Sequence, residues 1–344
     1  MTDKTTRRWV LARYVDGAPS PEDFRLEERP LPELEDGKFL ARVILASVDP
    51  GIRSRLSAGD SYAAAMKLGE GIDGFNVAEV IESKNPNYAV GDLICAGGGW
   101  REHIVSDGRG YIQKITDRRV ELGCWVGVLG VPGLTAWFGL NRVGQAKAGE
   151  TLLVTSAAGP VGATAGHLGK ALGMRVVGTA GSAAKCDWLT HDEGFDVAIN
   201  YKAEADLTAA IQAACPDGVD VLFDNVGNEM IDRVLPLMRM RGRIVVSGQV
   251  ADYNLNADQI PGIHNTKPFI THRVRMEGLV VFDDIRAFAG AQAAMADMIV
   301  LGSLKYRIEE FAGLEAMPQA FCGLFRGDNF GRRLVRLAPD PKVF

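Results

Sequence analysis

Cysteine is sparse in this chain of 344 residues: Cys95, Cys124, Cys186, Cys215 and Cys322 stand far apart, with no C-x-x-C pair among them. Such spacing offers neither a disulfide framework nor a zinc ribbon, and reduced, mostly buried thiols are the expectation. There is no G-x-S-x-G, so a serine nucleophile has no elbow to sit on. No stretch reaches the roughly 18 uninterrupted apolar residues of a spanning helix, and the opening "MTDKTTRRWVLARYV" lacks an apolar h-region. A cytoplasmic protein with no membrane association is expected. The formal net charge is -5, and the signs are mixed along the chain, with no basic stripe for nucleic acid or an anionic lipid surface. Small molecules or protein partners are the ligands this leaves. No internal repeat or low-complexity segment is present.

What the chain does have is length and apolar content, with 47% hydrophobic residues, enough for two domains with separate cores. From Arg7 to about Gly127, short β-rich runs ("FLARVILASV", "NVAEVIES", "GDLICAG", "EHIVSD") are broken by turns and by the proline-bearing "DGAPSPEDF" and "ERPLPELEDG". The rhythm then changes to strand and helix in alternation. Apolar strands are expected at "ETLLVTS", "MRVVGTA", "FDVAINY", "VDVLFDNVG", "GRIVVSG" and "MEGLVVF". Helices are expected at "PVGATAGHLGKALG", "AAKCDWLTHDE", "EADLTAAIQAAC" and "EMIDRVLPLMRMR". Continuous apolar strands separated by helices predict an α/β unit, a parallel sheet covered on both faces. From about Leu304 the pattern is strand, helix, strand, which assigns the tail back to the first domain. The expected boundaries are 1–128, 129–304 and 305–344.

Ala157-Ala158-Gly159-Pro160-Val161-Gly162 has the spacing of G-x-G-x-x-G with alanine for the first glycine, between an expected strand and an expected helix. In that setting Gly159 allows close backbone approach to a pyrophosphate, Gly162 allows close helix–strand packing, and Pro160 suits the first helical turn. Gly166, Gly169 and Gly173 on the same helix are open to the simpler reading of tight packing on a sheet. The second strand ends Val176-Val177-Gly178-Thr179-Ala180-Gly181-Ser182, with no acid before Asp187, where an NAD site normally carries one. A small hydroxyl-bearing turn followed by Lys185 suits a 2'-phosphate; Lys185 as an exposed helix lysine is the other reading.

These segments resemble the zinc-independent medium-chain dehydrogenase/reductases, in particular the prostaglandin reductase/leukotriene B4 dehydrogenase-like double-bond reductases. "LGVPGLTAWFGL", "TSAAGPVG", "AGSAAKCDWL", "NYK", "FDNVG", "GRIVVSGQVADYN", "MEGLVVFD" and "GDNFGRRLV" follow in family order over most of the chain. The resemblance implies a Rossmann-type doubly wound sheet inserted into a GroES-like, mainly β substrate domain. It implies NADPH as cofactor and hydride transfer to the β-carbon of an α,β-unsaturated ketone or aldehyde. By the same resemblance Ala158, Gly159 and Pro160, with Val161 and Gly162 in the same turn, face the pyrophosphate. Lys185 and Tyr201 hold the adenosine phosphate end. Asn225, the segment from Gly248 to Tyr253, Val280, Val281 and Asn329 line the nicotinamide half, and a homodimer is implied.

The resemblance makes Tyr253 the expected catalytic residue, since it implies a tyrosine near the substrate carbonyl, where a phenol can donate a hydrogen bond to the enolate that hydride addition creates; a turn tyrosine that merely packs is the alternative. Two positions depart from the family pattern and border its substrate space: Gly51, in Asp49-Pro50-Gly51-Ile52-Arg53, and Phe282. No metal is expected, since "LGEGIDGFNVAEVIES" and "GGGWREHIVSD" hold no ligand set where related alcohol dehydrogenases bind zinc. His103 reads as an ordinary strand residue. A quinone reductase of the same superfamily and an NADPH-binding protein without turnover, a sensor or structural protein, are the competing functions.

Overall fold

The computed structural model describes residues 5–58, 64–255 and 258–341. By contact density the chain separates into two units. One runs to Val126 and takes in Ile308–Asn329 and the chain from Arg333 on; the other comprises Gly127–Arg307 and Phe330–Arg332.

The first unit opens with an antiparallel pair, β1 (Thr5–Leu11) and β2 (Phe24–Pro30). Then come β3 (Phe39–Ser47), β4 (Phe75–Ser83), β5 (Leu93–Gly97), β6 (His103–Ser106) and β7 (Ile112–Lys114). His103 is indeed a strand residue, its Nδ1 3.1 Å from Thr6 Oγ1.

The second unit alternates as the apolar runs require. Its strands are β8 (Thr151–Val154), β9 (Arg175–Ala180), β10 (Val197–Asn200), β11 (Val219–Asp224), β12 (Met238–Val246) and β13 (Arg275–Gly278). Around them lie α1 (Val131–Phe138), α2 (Pro160–Leu172), α3 (Ala183–His191), α4 (Leu207–Ala214), α5 (Asn228–Val234), α6 (Lys267–Thr271) and α7 (Phe288–Val300). All pairings are parallel, in the order β10-β9-β8-β11-β12-β13. This is the doubly wound order 3-2-1-4-5-6, whose switch point lies between β8 and β11. Leu153, Val177, Leu222 and Ile244 on successive strands are nearly inaccessible and form the sheet's buried centre.

After Arg307 the chain returns to the first unit with β14 (Ile308–Ala312), α8 (Met317–Arg326) and β15 (Arg332–Arg336). β15 pairs antiparallel with β3, completing the sheet order β14-β15-β3-β4-β5-β7, with β6 also on β3. Trp100 packs at the centre of this unit's core, 5.1 Å from Phe24 and 5.5 Å from Phe321 between ring centroids.

Two elements differ from expectation. "EMIDRVLPLMRMR" is not one helix: α5 stops at Val234, a 3-10 turn covers Leu235–Leu237, and Met238 begins β12. Pro236 has no N–H to continue a helical ladder, and Met238 finds a place beside Val219 instead. "MEGLVVF" is strand only to Gly278, because Leu279 N–H takes the carbonyl of Val246, the last residue of β12, and leaves no strand partner beyond it. Val281–Ala287 then forms a 3-10 turn.

Candidate active site

The turn after β8 is built from small residues because three backbones converge on it. A Cβ on Gly162 would stand 2.6 Å from Ser156 O and 2.7 Å from Ala157 Cα, so only glycine allows α2 to start this close to the strand end. Ala157 faces Gly178 of β9, where any added Cβ would lie 2.8 Å from it. Ser156 takes φ +50°, a left-handed conformation uncommon outside glycine, and turns the chain into Gly159. Gly159 is the N-cap of α2 with Pro160 behind it, and Ala163 N–H makes the first helical bond, to Gly159 O. The earlier amides of Val161 and Gly162 therefore end the helix outward, with the positive end of its dipole behind them.

The other glycines of α2 divide by cause. Gly166 and Gly169 pack, since a Cβ would meet Phe195 at 2.0 Å and Leu152 at 2.7 Å respectively. Gly173 instead caps the helix at φ +84°. His167 ties the middle of α2 down, with Nε2 2.8 Å from Glu193 Oε2 and Nδ1 3.0 Å from Lys305 O.

At the carboxyl end of β9, Ser182 caps α3 by accepting the Lys185 N–H at 3.3 Å. Lys185 is not an exposed helix lysine: it is 9% exposed, with Nζ 5.5 Å from the centroid of the Phe330 ring. Tyr201, just past β10, places its hydroxyl 3.2 Å from where a Cβ on Gly181 would stand. The sequence reading missed Arg307, whose guanidinium lies 4.9 Å from the Phe330 ring and 5.6 Å from Trp188. Two cations thus rest on one small aromatic group beside a helix N-terminus, a donor set suited to a phosphate monoester. Nothing local in the sequence ties Arg307 to Lys185.

At the switch point Asn225 donates Nδ2–H to Thr155 O at 2.8 Å and accepts Ser247 Oγ–H at 2.6 Å. Thr155 Oγ1 in turn donates to Asp224 at 2.8 Å and accepts the Asn225 N–H. Asp224 is fully buried, and burial pushes its carboxyl up to about 6 against the pull of the Thr155 hydroxyl and the Gly227 and Val226 amides. The next turn docks on the same strand end, Val250 N–H on Asn225 O and Ala251 N–H on Val226 O. It brings the Tyr253 hydroxyl back to 3.5 Å from Gln249 N and 3.7 Å from the Cβ position of Gly248. There the phenol oxygen accepts the Gln249 N–H.

The structure therefore gathers Ala158–Gly162, Asn225, Gly248 and Tyr253 at the carboxyl ends of β8, β11 and β12, with Lys185 and Tyr201 at those of β9 and β10. Of the two valines, Val280 is 56% exposed whereas Val281 is 7% exposed and packs inward. Asn329 belongs to the first unit. The residues after it lie at the phosphate turn and α3, Gly331 N–H donating to Ala158 O at 2.8 Å and the Phe330 ring 5.8 Å from Trp188. Gly51 stands in the 3-10 turn Pro50–Arg55, and Phe282 is exposed beside Phe288.

A doubly wound sheet with a phosphate turn at its switch point, inserted into a mainly β unit, defines the medium-chain dehydrogenase/reductase class. Two family models agree: one described as the N-terminal domain of oxidoreductase matches residues 7–114, and one described as zinc-binding dehydrogenase matches residues 160–297. The chain is 40% identical to the NADPH-dependent curcumin reductase of Escherichia coli K12, covering 97% of both chains. It is 38% identical to the NADP(+)-dependent 2-alkenal reductase of Nicotiana tabacum, covering 98% of both. The crystal structure of CurA from Vibrio vulnificus in complex with NADPH superposes with a TM-score of 0.90 at 35% identity, over 97% of this chain and 100% of that one. The chain belongs to the zinc-independent medium-chain dehydrogenase/reductase family of double-bond reductases. Among the described residues no group of three or more His, Cys, Asp or Glu could hold a metal ion, and no helix is long and apolar enough to cross a membrane.

Proposed function

We propose that this protein reduces the carbon–carbon double bond of α,β-unsaturated ketones and aldehydes with NADPH. The observation that carries the reading is the joint presence of a cationic, acid-free cradle after β9 and a tyrosine held at the switch point. Family membership and the printed activities of the relatives support it. Residues 158–162 would hold the diphosphate on the α2 amides, and Lys185, Ser182 and Tyr201 the adenosine phosphate. Asn225, Gly248, Val280, Val281 and Asn329 would hold the remainder. When bound, the cofactor supplies a hydride to the β-carbon. Tyr253 donates its O–H to the substrate carbonyl oxygen, where negative charge develops, and Asn225, locked by Thr155 and Ser247, keeps the floor of the site fixed.

A homodimer in the cytoplasm belongs to the same reading, supported by the family resemblance and by five thiols, four of them buried. The test follows loss of NADPH absorbance on adding enals, enones and quinones in turn. Consumption is expected with enals and enones. Tight NADPH binding without consumption by any of them, or consumption with quinones alone, would sink the reading.

A further inference from the structure

Gly227 lies against two carboxyls, those of Asp224 and Asp252. Its φ is +131°, open only to glycine, and a Cβ there would lie 2.5 Å from Asp252 Oδ2. The Asp252 carboxyl thus fills the space that a side chain at 227 would take. Asp224 holds the other side, accepting the Gly227 N–H at 2.9 Å. Asp252 is 7% exposed, and among the described residues its buried Oδ2 meets no hydrogen-bond donor. The backbone N–H of Asn228 donates to its carboxyl. The charged groups facing it are acids: Asp224 from the end of β11 and Glu229 from α5, while Arg233 is engaged by Glu229 at 2.8 Å. Burial raises Asp252, and the neighbouring charge adds to the rise at Asp224.

An acid buried with other acids for neighbours resists ionising. It sits one residue before Tyr253, in the turn whose main-chain bonds Asp252 N–H to Gln249 O and Leu255 N–H to Asp252 O shape the tyrosine's approach. We propose that Asp252 is a positioning residue for Tyr253: its carboxyl, lodged in the space that a side chain at Gly227 would take, docks the turn that aims the phenol. The proposal rests on the reading of Tyr253 given above, and it adds a residue that acts through it.

Three variants test it, with trans-2-hexenal and NADPH as probes. Asp252→Ala should lower kcat about tenfold or more by letting the phenol drift, with the NADPH Kd within about twofold of wild type. Asp252→Asn fills the same space at Gly227, so it should restore kcat. In a Tyr253→Phe background, Asp252→Ala should cost no further kcat, because its target is already gone. The pH arm needs no turnover. Both carboxyls are raised on folding, so their contribution is present below the ordinary carboxylate range and is lost as pH rises through about 6, the value for Asp224. The Tm of Asp252→Asn minus that of wild type should therefore grow between pH 4 and pH 7. Unchanged kcat in Asp252→Ala, no rescue by Asn, or full additivity with Tyr253→Phe overturns the positioning role; a pH-independent Tm difference overturns the burial of the carboxyl at Gly227. A wild type that turns over no enone refutes the proposed function alone, and the pH arm still decides the docking.

Discussion

Lys185→Glu is expected to raise the KM for NADPH roughly a hundredfold while moving the KM for NADH by no more than about twofold. The size follows from removing a charge-assisted bond, about 1.5–3 kcal/mol, and adding repulsion of a phosphate, each 1.4 kcal/mol being a factor of ten. Lys185 is held in place by its own helix cap and by the Phe330 ring, so its ammonium is already positioned when the cofactor arrives. Lys185→Met, which keeps the apolar stem over Phe330, should show a smaller shift of the same sign. Steady-state kinetics with each cofactor at saturating enal decides the matter. Equal effects on NADPH and NADH would reject the phosphate role and point to disruption of α3.

Tyr253→Phe is expected to lower kcat roughly a hundredfold, the usual cost of losing one hydrogen-bond donor to a developing oxyanion. The ring stays, and with it the packing of the turn, so NADPH affinity should hold within about twofold and the Tm should barely move. The fall in kcat matters, because a tyrosine that merely packs keeps its packing as Phe and would leave turnover unchanged. Unaltered turnover removes the hydroxyl from the mechanism.

The chemistry-bearing turns were legible in the sequence wherever function is written in local geometry. "TSAAGPVG" sits between a strand and a helix because glycine at 162 is a steric necessity that leaves a fixed spacing behind it. The parallel sheet was legible from continuous apolar runs, but its strand order was not, since order depends on long-range pairing that no local pattern encodes. Pro236 was visible, yet the leucines and methionines around it kept helical spacing; only burial of Met238 beside Val219 decided for the strand. Lys185 could be read two ways until the fold brought Phe330 to it across nearly half the chain. Arg307 and the Asp224–Asp252 pair were invisible for the same reason: each takes its meaning from a partner supplied by another element.

The most direct test of the central claim is the fate of the transferred hydrogen. With NADPH carrying deuterium on both positions of C4 and an α,β-unsaturated ketone as substrate, mass and NMR spectra of the product should show one deuterium at the β-carbon and an intact carbonyl. Deuterium on the carbonyl carbon of an allylic alcohol, or a product without deuterium, would contradict the account.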